Sequence, residues 1–410
     1  MGDLIRTAAE GGGSRAAAAF ARLSEQVASP AAASELCGVP GALGAICAAA
    51  DAGGRAGAAA AAFARLSEQV ASPAAASELC GVPGALGAIC AAADAGGRAG
   101  AAALLLLARV ASCGDADVAQ ALATHPAGCL PTLVDAGRGG GACGAAARRA
   151  LLDILMADLS LSLAVRSTRG AVEAIADAIA RDCCDSAVGL LFTITSGARS
   201  DLLRRLARTP GCLDALFFRI EPGGYEALSP LSALWQMVDS DVRRNGALLR
   251  DAPGSLEAIA AAAARGIVAW GLAFVLLAAL PCASEAERAA LAQRAGRVDG
   301  FVAAALRRMR RGDEAGAAAA AVLLTMARGD ASFAALICDT AGSTCDICAA
   351  AVGGGERGGA AIKLLSTLCA SCPDLEVSLA RAMLEADGFM TALVRAVRAG
   401  DAHMRSWRST

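Results

Sequence analysis

An exact internal duplication is the feature that most restricts how this chain can fold. Residues 16–60 recur without a change as residues 59–103, so a 45-residue block is repeated at an offset of 43. Periods of about 40–47 residues are typical of helical units that stack on one another, because a single unit cannot bury its apolar face alone. We therefore predict a repeat protein whose function lies on an extended surface.

The same period continues in degenerate form along the rest of the chain. A glycine followed by a short apolar run, as in Gly41-Ala-Leu-Gly-Ala-Ile-Cys47, returns at intervals of 41 to 46 residues. These anchors predict about nine to ten units, and they are Gly41, Gly84, Gly128, Gly170, Gly211, Gly254, Gly300, Gly342 and Gly388.

One unit can be interpreted locally. Ser29-Pro30 predicts the start of a short helix, since serine caps helices and proline suits the first helical position. A second helix is expected from Ala42 to about Ala50, followed by a turn at residues 51–54 and a longer third helix from about Arg55 to Val70.

This order of short helix, glycine-led helix, turn and long helix resembles the unit of the armadillo-repeat family. The resemblance is carried by residues 84–93, by the turn at Asp94–Gly97 and by the Ala-rich third helix that ends at residues 108–111. It implies one all-α, right-handed α-solenoid of armadillo-like three-helix repeats over residues 1–410, with incomplete first and last repeats. It also implies a non-catalytic scaffold that binds a protein segment along a concave groove lined by third helices. A HEAT solenoid with two helices per unit is the structural alternative.

Composition agrees with a solenoid and disfavours several partners. The chain is 56% hydrophobic and carries a net charge of −2, which argues against bulk attraction to nucleic acid or anionic membrane. The densest basic run, Arg307 to Arg311, is interpreted as a solvated helix face, with a phosphate or acidic-partner patch as the alternative. The apolar window from Gly266 to Ala283 is interpreted as a buried third helix. We expect a cytoplasmic protein, with the nucleus as an alternative location.

Sixteen cysteines without a secretory signal point to reduced thiols. Cys345-x-x-Cys348 and Cys369-x-x-Cys372 match the spacing of a four-cysteine zinc site. Sister units lack this quartet, so we predict core packing and free thiols rather than a metal. The vicinal pair Cys183-Cys184 has the same interpretation.

Catalytic groupings are scarce. Gly139-x-Gly141-x-x-Gly144 and Gly353-x-Gly355-x-x-Gly358 imitate a dinucleotide fingerprint, but no strand is expected before either of them. The only two histidines, His125 and His403, lie in an expected loop and in the last fragmentary unit. We therefore predict no enzyme and no cofactor; a metal- or nucleotide-dependent enzyme is the weakest alternative.

Outward positions of the third helices are the expected protein-binding residues. An importin-α-like cargo adaptor would carry Trp and Asn ladders there, whereas the Trp phase reads Ala61, Leu105, Arg149, Ser232, Val275, Ala321 and Lys363. The candidate binding residues are Arg22, Arg65, Arg109, Arg149, Asp153, Thr193, Gln236, Thr325 and Thr367. The N-terminal arginines favour an acidic extended segment. Self-association through apolar, uncapped ends is a further expectation.

Overall fold

The computed structural model describes residues 60, 63–64, 66–68, 70, 72–81, 84–113, 115–126, 128–195, 201–266, 269–372 and 376–399. The chain divides into two compact units, unit 1 over Met1–Ser196 and unit 2 over Gly197–Thr410. One continuous solenoid over residues 1–410 stays a prediction. The anchor Gly41 and the first copy of the duplicated block up to residue 59 lie outside the described residues.

Unit 1 is built from helices in groups of three. Its described helices are α1 (Pro73–Gly81), α2 (Ala85–Ala95), α3 (Gly97–Ala111), α4 (Ala116–Thr124), α5 (Cys129–Arg138), α6 (Gly141–Ala157), α7 (Ser162–Ser167), α8 (Ala171–Asp182) and α9 (Asp185–Thr195). A short 3-10 helix, Leu159–Leu161, precedes α7.

Unit 2 repeats the same grouping. Its described helices are α10 (Leu202–Ala207), α11 (Cys212–Ile220), α12 (Leu228–Ser240), α13 (Val242–Asp251), α14 (Ser255–Arg265), α15 (Trp270–Ala279), α16 (Glu285–Gly296), α17 (Phe301–Met309), α18 (Glu314–Gly329), α19 (Ala331–Asp339), α20 (Ser343–Val352), α21 (Gly355–Ser371), α22 (Glu376–Glu385) and α23 (Phe389–Ala399). A 3-10 helix, Tyr225–Ala227, precedes α12. The described chain is therefore all-α, and its three helices per repeat match the armadillo-like plan rather than the two-helix alternative.

The predicted glycine anchors mark the start of every second helix. Gly84, Gly128, Gly170, Gly211, Gly254, Gly300, Gly342 and Gly388 have φ between 73° and 80°. Each stands directly before one of the helices α2, α5, α8, α11, α14, α17, α20 and α23. A left-handed residue turns the chain sharply between first and second helices, and glycine adopts that conformation without a Cβ penalty. The repeat thus recurs in the sequence because the turn recurs in the structure.

The second copy of the duplicated block confirms the predicted helix start. Pro73 is the first residue of α1, and the Ser72 hydroxyl accepts a hydrogen bond from the Ala75 amide at 3.3 Å. The turn expected at Asp94–Gly97 is shorter than predicted. Helix α2 continues to Ala95 and α3 begins at Gly97, so Gly96 alone joins them, with φ of 75° and ψ of −157°.

Like helices stack on like helices within each unit. Second helices contact second helices from α2 through α8 and from α11 through α23, and third helices contact third helices from α3 through α9 and from α12 through α21. The core is rich in Ala, Leu, Ile and Val, whose small volumes let the helices approach closely. In unit 2, the rings of Phe274 and Phe301 lie 5.9 Å apart and join the cores of neighbouring repeats.

No single helix among the described residues is both long and apolar enough to cross a membrane. Two sharply bent pairs meet the length and composition criteria only when their helices are taken together, α1 with α2 and α19 with α20. The apolar window predicted as a third helix contains α15, and its residues Ala273, Phe274, Leu276 and Leu277 are buried.

Candidate functional site

The stacked third helices place matching positions of successive repeats side by side. In unit 1 these helices are α3, α6 and α9, and in unit 2 they are α12, α15, α18 and α21. Residues at one phase of the repeat form a row across the layer, and residues one helical turn later form a second row. We call this surface the third-helix face of each unit.

The face of unit 1 carries exposed apolar and basic side chains. Leu105 on α3 is 48% exposed, and Arg149, its counterpart on α6, has 69% of its side chain exposed. Arg109 is also exposed, one turn after Leu105. Leu105 and Arg149 share one row, so this face combines an apolar contact with a cation.

Both described arginines of the face are held by local contacts. The Arg109 Nε donates to the Val70 carbonyl oxygen at 2.9 Å, which orients the side chain while the residue remains exposed. The Arg149 Nε donates to Asp153 Oδ1 at 2.9 Å. Burial raises the pKa of Asp153, and the neighbouring Arg149 opposes that rise. Arg149 is therefore partly neutralised, so Arg109 carries the less compensated charge. Arg22 and Arg65, the other predicted arginines, lie outside the described residues.

Thr193 was predicted as an outward binding residue, but the structure buries it. It is only 4% exposed, and its hydroxyl donates to the carbonyl oxygens of Gly189 at 2.8 Å and Leu190 at 3.0 Å. Threonine satisfies its hydroxyl within its own helix in this way, so burying it costs little. We leave Thr193 out of the site.

The face of unit 2 is largely neutral. Gln236, Thr325 and Thr367 are half-buried, and the Thr367 hydroxyl donates to the Lys363 carbonyl oxygen at 2.9 Å. The row one turn earlier holds Ser232, Val275, Ala321 and the exposed Lys363. No Trp or Asn ladder follows this face in the described residues: Asn245 is buried on α13, where its amide donates to the Met237 carbonyl oxygen.

The four cysteines with zinc-like spacing fall into two separate places. Cys345 and Cys348 line an open cleft of about 450 Å³ together with Glu385 and Asp387. Cys369 and Cys372 instead lie beside Cys338, where burial and the neighbouring Cys372 raise the pKa of Cys338 to about 12. Within the described residues, no group of three or more His, Cys, Asp or Glu side chains is arranged to hold a metal ion.

Other cysteines pack in the core. Cys90 and Cys348 share a phase of the repeat and are each 1% exposed, as expected for a packing position. The Cys90 thiol donates to Cys129 Sγ at 3.2 Å between α2 and α5. This contact joins two successive repeats of unit 1.

The glycine patterns that imitate a nucleotide fingerprint are explained by packing. A Cβ at Gly144, in the first turn of α6, would collide with the Gly139 carbonyl oxygen, so this position requires glycine. The buried Arg148 occupies the same turn and donates from Nη1 to the carbonyl oxygens of Gly137 at 2.8 Å and Gly139 at 3.0 Å. At the second pattern, the side chain of Arg357 occupies the space beside Gly353, where a Cβ would overlap it.

Sequence reasoning missed the buried arginines. Arg148 and Arg308 are 3% and 8% exposed, and the structure pairs them with Asp182 and Asp313. Arg148 lies inside the third helix α6, and Arg308 lies near the end of the second helix α17. Arginine is normally solvated, so the only available signal was the glycines that make room beside it.

Comparisons with known proteins support the fold. No protein-family model and no curated protein sequence matches the chain. The crystal structure of an engineered protein is similar, with a TM-score of 0.52 and 17% identity, covering 99% of this chain and 97% of that one. UNC-45 from Drosophila melanogaster is also similar, with a TM-score of 0.58 and 13% identity, covering 92% of this chain and 52% of that one. At these identities the similarities show the helical-repeat fold alone.

Proposed function

We propose that this chain is a non-catalytic scaffold of the armadillo type that binds a partner protein along its third-helix faces. The observation that carries the proposal is the stacking of third helices, which aligns the exposed Leu105 and Arg149 of successive repeats in one row. An extended segment can follow such rows and make similar contacts at each repeat. The neutral, half-buried rows of unit 2 suit a less charged segment.

The partner segment at unit 1 is acidic in this proposal. A guanidinium binds a carboxylate through two parallel hydrogen bonds, and Arg109 and Arg149 lie on neighbouring helices. Arg149 must exchange Asp153 for a partner carboxylate, which lowers its contribution below that of Arg109. Arg22 and Arg65 extend the row in the N-terminal direction in the sequence.

Two further features belong to the same proposal. The abundance of cysteine favours a cytoplasmic location, and imaging of a tagged chain tests it.

Self-association is the second feature. It is expected because large apolar side chains in the last described helices are exposed: Val377 by 76%, Leu384 by 69%, Met390 by 48% and Val394 by 47%. Light scattering that finds a monomer at every concentration would remove the self-association feature alone.

The test is affinity capture followed by two matched charge reversals. The tagged chain is used to isolate a partner, and that partner is then titrated against purified variants. We expect Arg109→Glu with Arg149→Glu to weaken the partner by about 1–3 kcal/mol, the range for hydrogen bonds to charged groups. The control is Arg243→Glu with Arg244→Glu, two exposed arginines on the first helix α13. Equal partner affinities of the two double variants would show that the partner binds a face other than the third-helix face of unit 1.

A further inference from the structure

Five arginines and a tryptophan lie at or near the turn from α17 to α18. The group, which we call the α17–α18 corner, consists of Arg307, Arg308, Arg310, Arg311, Arg357 and Trp270. Arg307 and Arg311 are exposed, while Arg308 is buried and Arg357 is half-buried. Arg357 reaches the corner from α21 and donates from Nη1 to the Arg310 carbonyl oxygen at 2.9 Å.

Positive charge exceeds its local compensation in this corner. Arg308 is paired with Asp313, and Arg310 Nη1 lies 3.1 Å from Asp346 Oδ1. Arg307, Arg311 and Arg357 form no ion pair with any described residue. Glu314 and Glu356 are near in the chain but lie in the first turns of α18 and α21, where the helix dipole stabilises them. Three guanidinium groups therefore remain without a carboxylate partner.

Trp270 holds two of these arginines in place. The guanidinium carbons of Arg308 and Arg311 lie 4.4 Å and 4.6 Å from the centre of its ring. Such cation–π contacts fix long side chains that would otherwise lose conformational freedom on binding. The Nε of buried Arg308 has no hydrogen-bond partner, and burial lowers the pKa of its guanidinium. The corner is thus pre-organised and incompletely satisfied.

Equivalent turns in two other repeats carry paired arginines. In the preceding repeat of unit 2, Arg265 Nη1 lies 3.3 Å from Glu221 Oε1. In unit 1, Arg138 is paired with Asp177 and Arg148 with Asp182. Those turns show no comparable excess of positive charge, so the corner does not extend as a basic track across them. A nucleic acid or a membrane would need such a track, whereas a short acidic segment needs only one cluster.

We propose that the α17–α18 corner is a second docking site of this chain, which binds a short acidic segment of a partner protein through Arg307 and Arg311. Both residues are exposed and flank the buried, Trp270-bound Arg308 in the chain, so their guanidinium groups are available to carboxylates of a partner. Arg357 and the Trp270-bound Arg308 supply the surrounding positive potential. This site goes beyond the third-helix face and does not depend on it.

A labelled glutamate peptide tests this site directly. Fluorescence anisotropy of a peptide of about ten glutamates is measured against the full chain at low salt, where such contacts are least screened. We expect Arg307→Gln with Arg311→Gln to weaken binding about tenfold or more, the effect of losing charge-assisted hydrogen bonds. The charge-matched control is Arg265→Gln with Arg328→Gln, both exposed and outside the corner, and it should change affinity less than about twofold. A glutamine peptide of equal length should not bind.

A second variant tests the pre-organisation. Trp270→Leu leaves every charge in place, and we expect it to weaken the glutamate peptide several-fold because the arginines lose their support. Circular dichroism checks that each variant is folded. If Trp270→Leu does not fold, the variant with Arg307→Gln and Arg311→Gln alone tests the proposal, because both positions are exposed. Equal affinity of the corner and control variants for the glutamate peptide would overturn the proposal. Tighter binding of a single-stranded DNA of equal charge, lost on the same substitutions, would also overturn it.

Discussion

At the residue scale, the anchor glycines are required by conformation rather than by space. Gly254 has φ of 73°, and a Cβ built on it would meet no atom within 4 Å. The same holds at Gly84, Gly300 and Gly342. The left-handed conformation alone disfavours any other residue, at about 1–2 kcal/mol. One non-glycine residue in the described chain tolerates it: Cys183, with φ of 40° at the end of α8.

Two alanine substitutions should therefore have opposite signs. Gly254→Ala should lower the free energy of unfolding by about 1–2 kcal/mol through backbone strain. Gly359→Ala should raise it by up to about 1 kcal/mol, because Gly359 lies inside α21 with open space around it and alanine favours helix. Urea midpoints measured side by side check this. A stabilised Gly254→Ala would show that the second helices do not depend on the left-handed turn.

At the element scale, arginines link successive repeats through backbone carbonyl groups. Arg181 Nη2 donates to the Arg138 carbonyl oxygen at 2.7 Å in unit 1, and Arg294 Nη1 donates to the Arg250 carbonyl oxygen at 3.0 Å in unit 2. Arginine offers several N–H donors in a planar fork, so one side chain can hold a carbonyl and a carboxylate together. The strong excess of arginine over lysine in this sequence therefore has a structural use at these positions.

The link through Arg294 should make stability depend on pH. Its Nε and Nη2 each lie 2.7 Å from a Glu257 carboxylate oxygen, and this hydrogen bonding lowers the pKa of Glu257 below 4.5. A carboxyl whose pKa is lower in the folded state stabilises the fold above its unfolded pKa, and the effect disappears as pH falls through the folded pKa. Glu257→Gln should cost about 1 kcal/mol near neutral pH, a modest value because the carboxylate is 43% exposed.

The measurement is the difference in urea midpoint between the original chain and Glu257→Gln from pH 7 down to about pH 3. We expect the difference to shrink as the medium becomes acidic. Glu226→Gln, at an exposed position in a 3-10 helix, is the control and should show no such trend. A difference that stays constant with pH would rule out the Arg294–Glu257 contact as its source.

At the scale of the whole molecule, the sequence predicts those features that each repeat encodes locally. Glycine anchors, the Ser72-Pro73 helix start and the three-helix order follow from turn conformation, capping and apolar period, and all can be recognised within one unit. Boundaries were less accurate: the turn at Asp94–Gly97 is shorter than predicted because α2 continues to Ala95.

Features that depend on neighbouring repeats could not be predicted. Arg148 is paired with Asp182 of the next repeat, and Arg308 stacks on Trp270 of the preceding repeat. Thr193 is buried because α9 exposes little surface and its hydroxyl bonds within its own helix. The candidate binding face was predicted as a set of positions, but each residue's exposure depends on its surroundings.

The central claim is that the third-helix face binds a protein partner, and site-specific photo-crosslinking tests it most directly. Benzoylphenylalanine is placed at three exposed positions: Leu105 on a third helix, Leu163 on the first helix α7 and Phe218 on the second helix α11. The captured partner should crosslink strongly from position 105 and weakly from positions 163 and 218. Strong crosslinks from position 163 or 218, with none from position 105, would contradict the account.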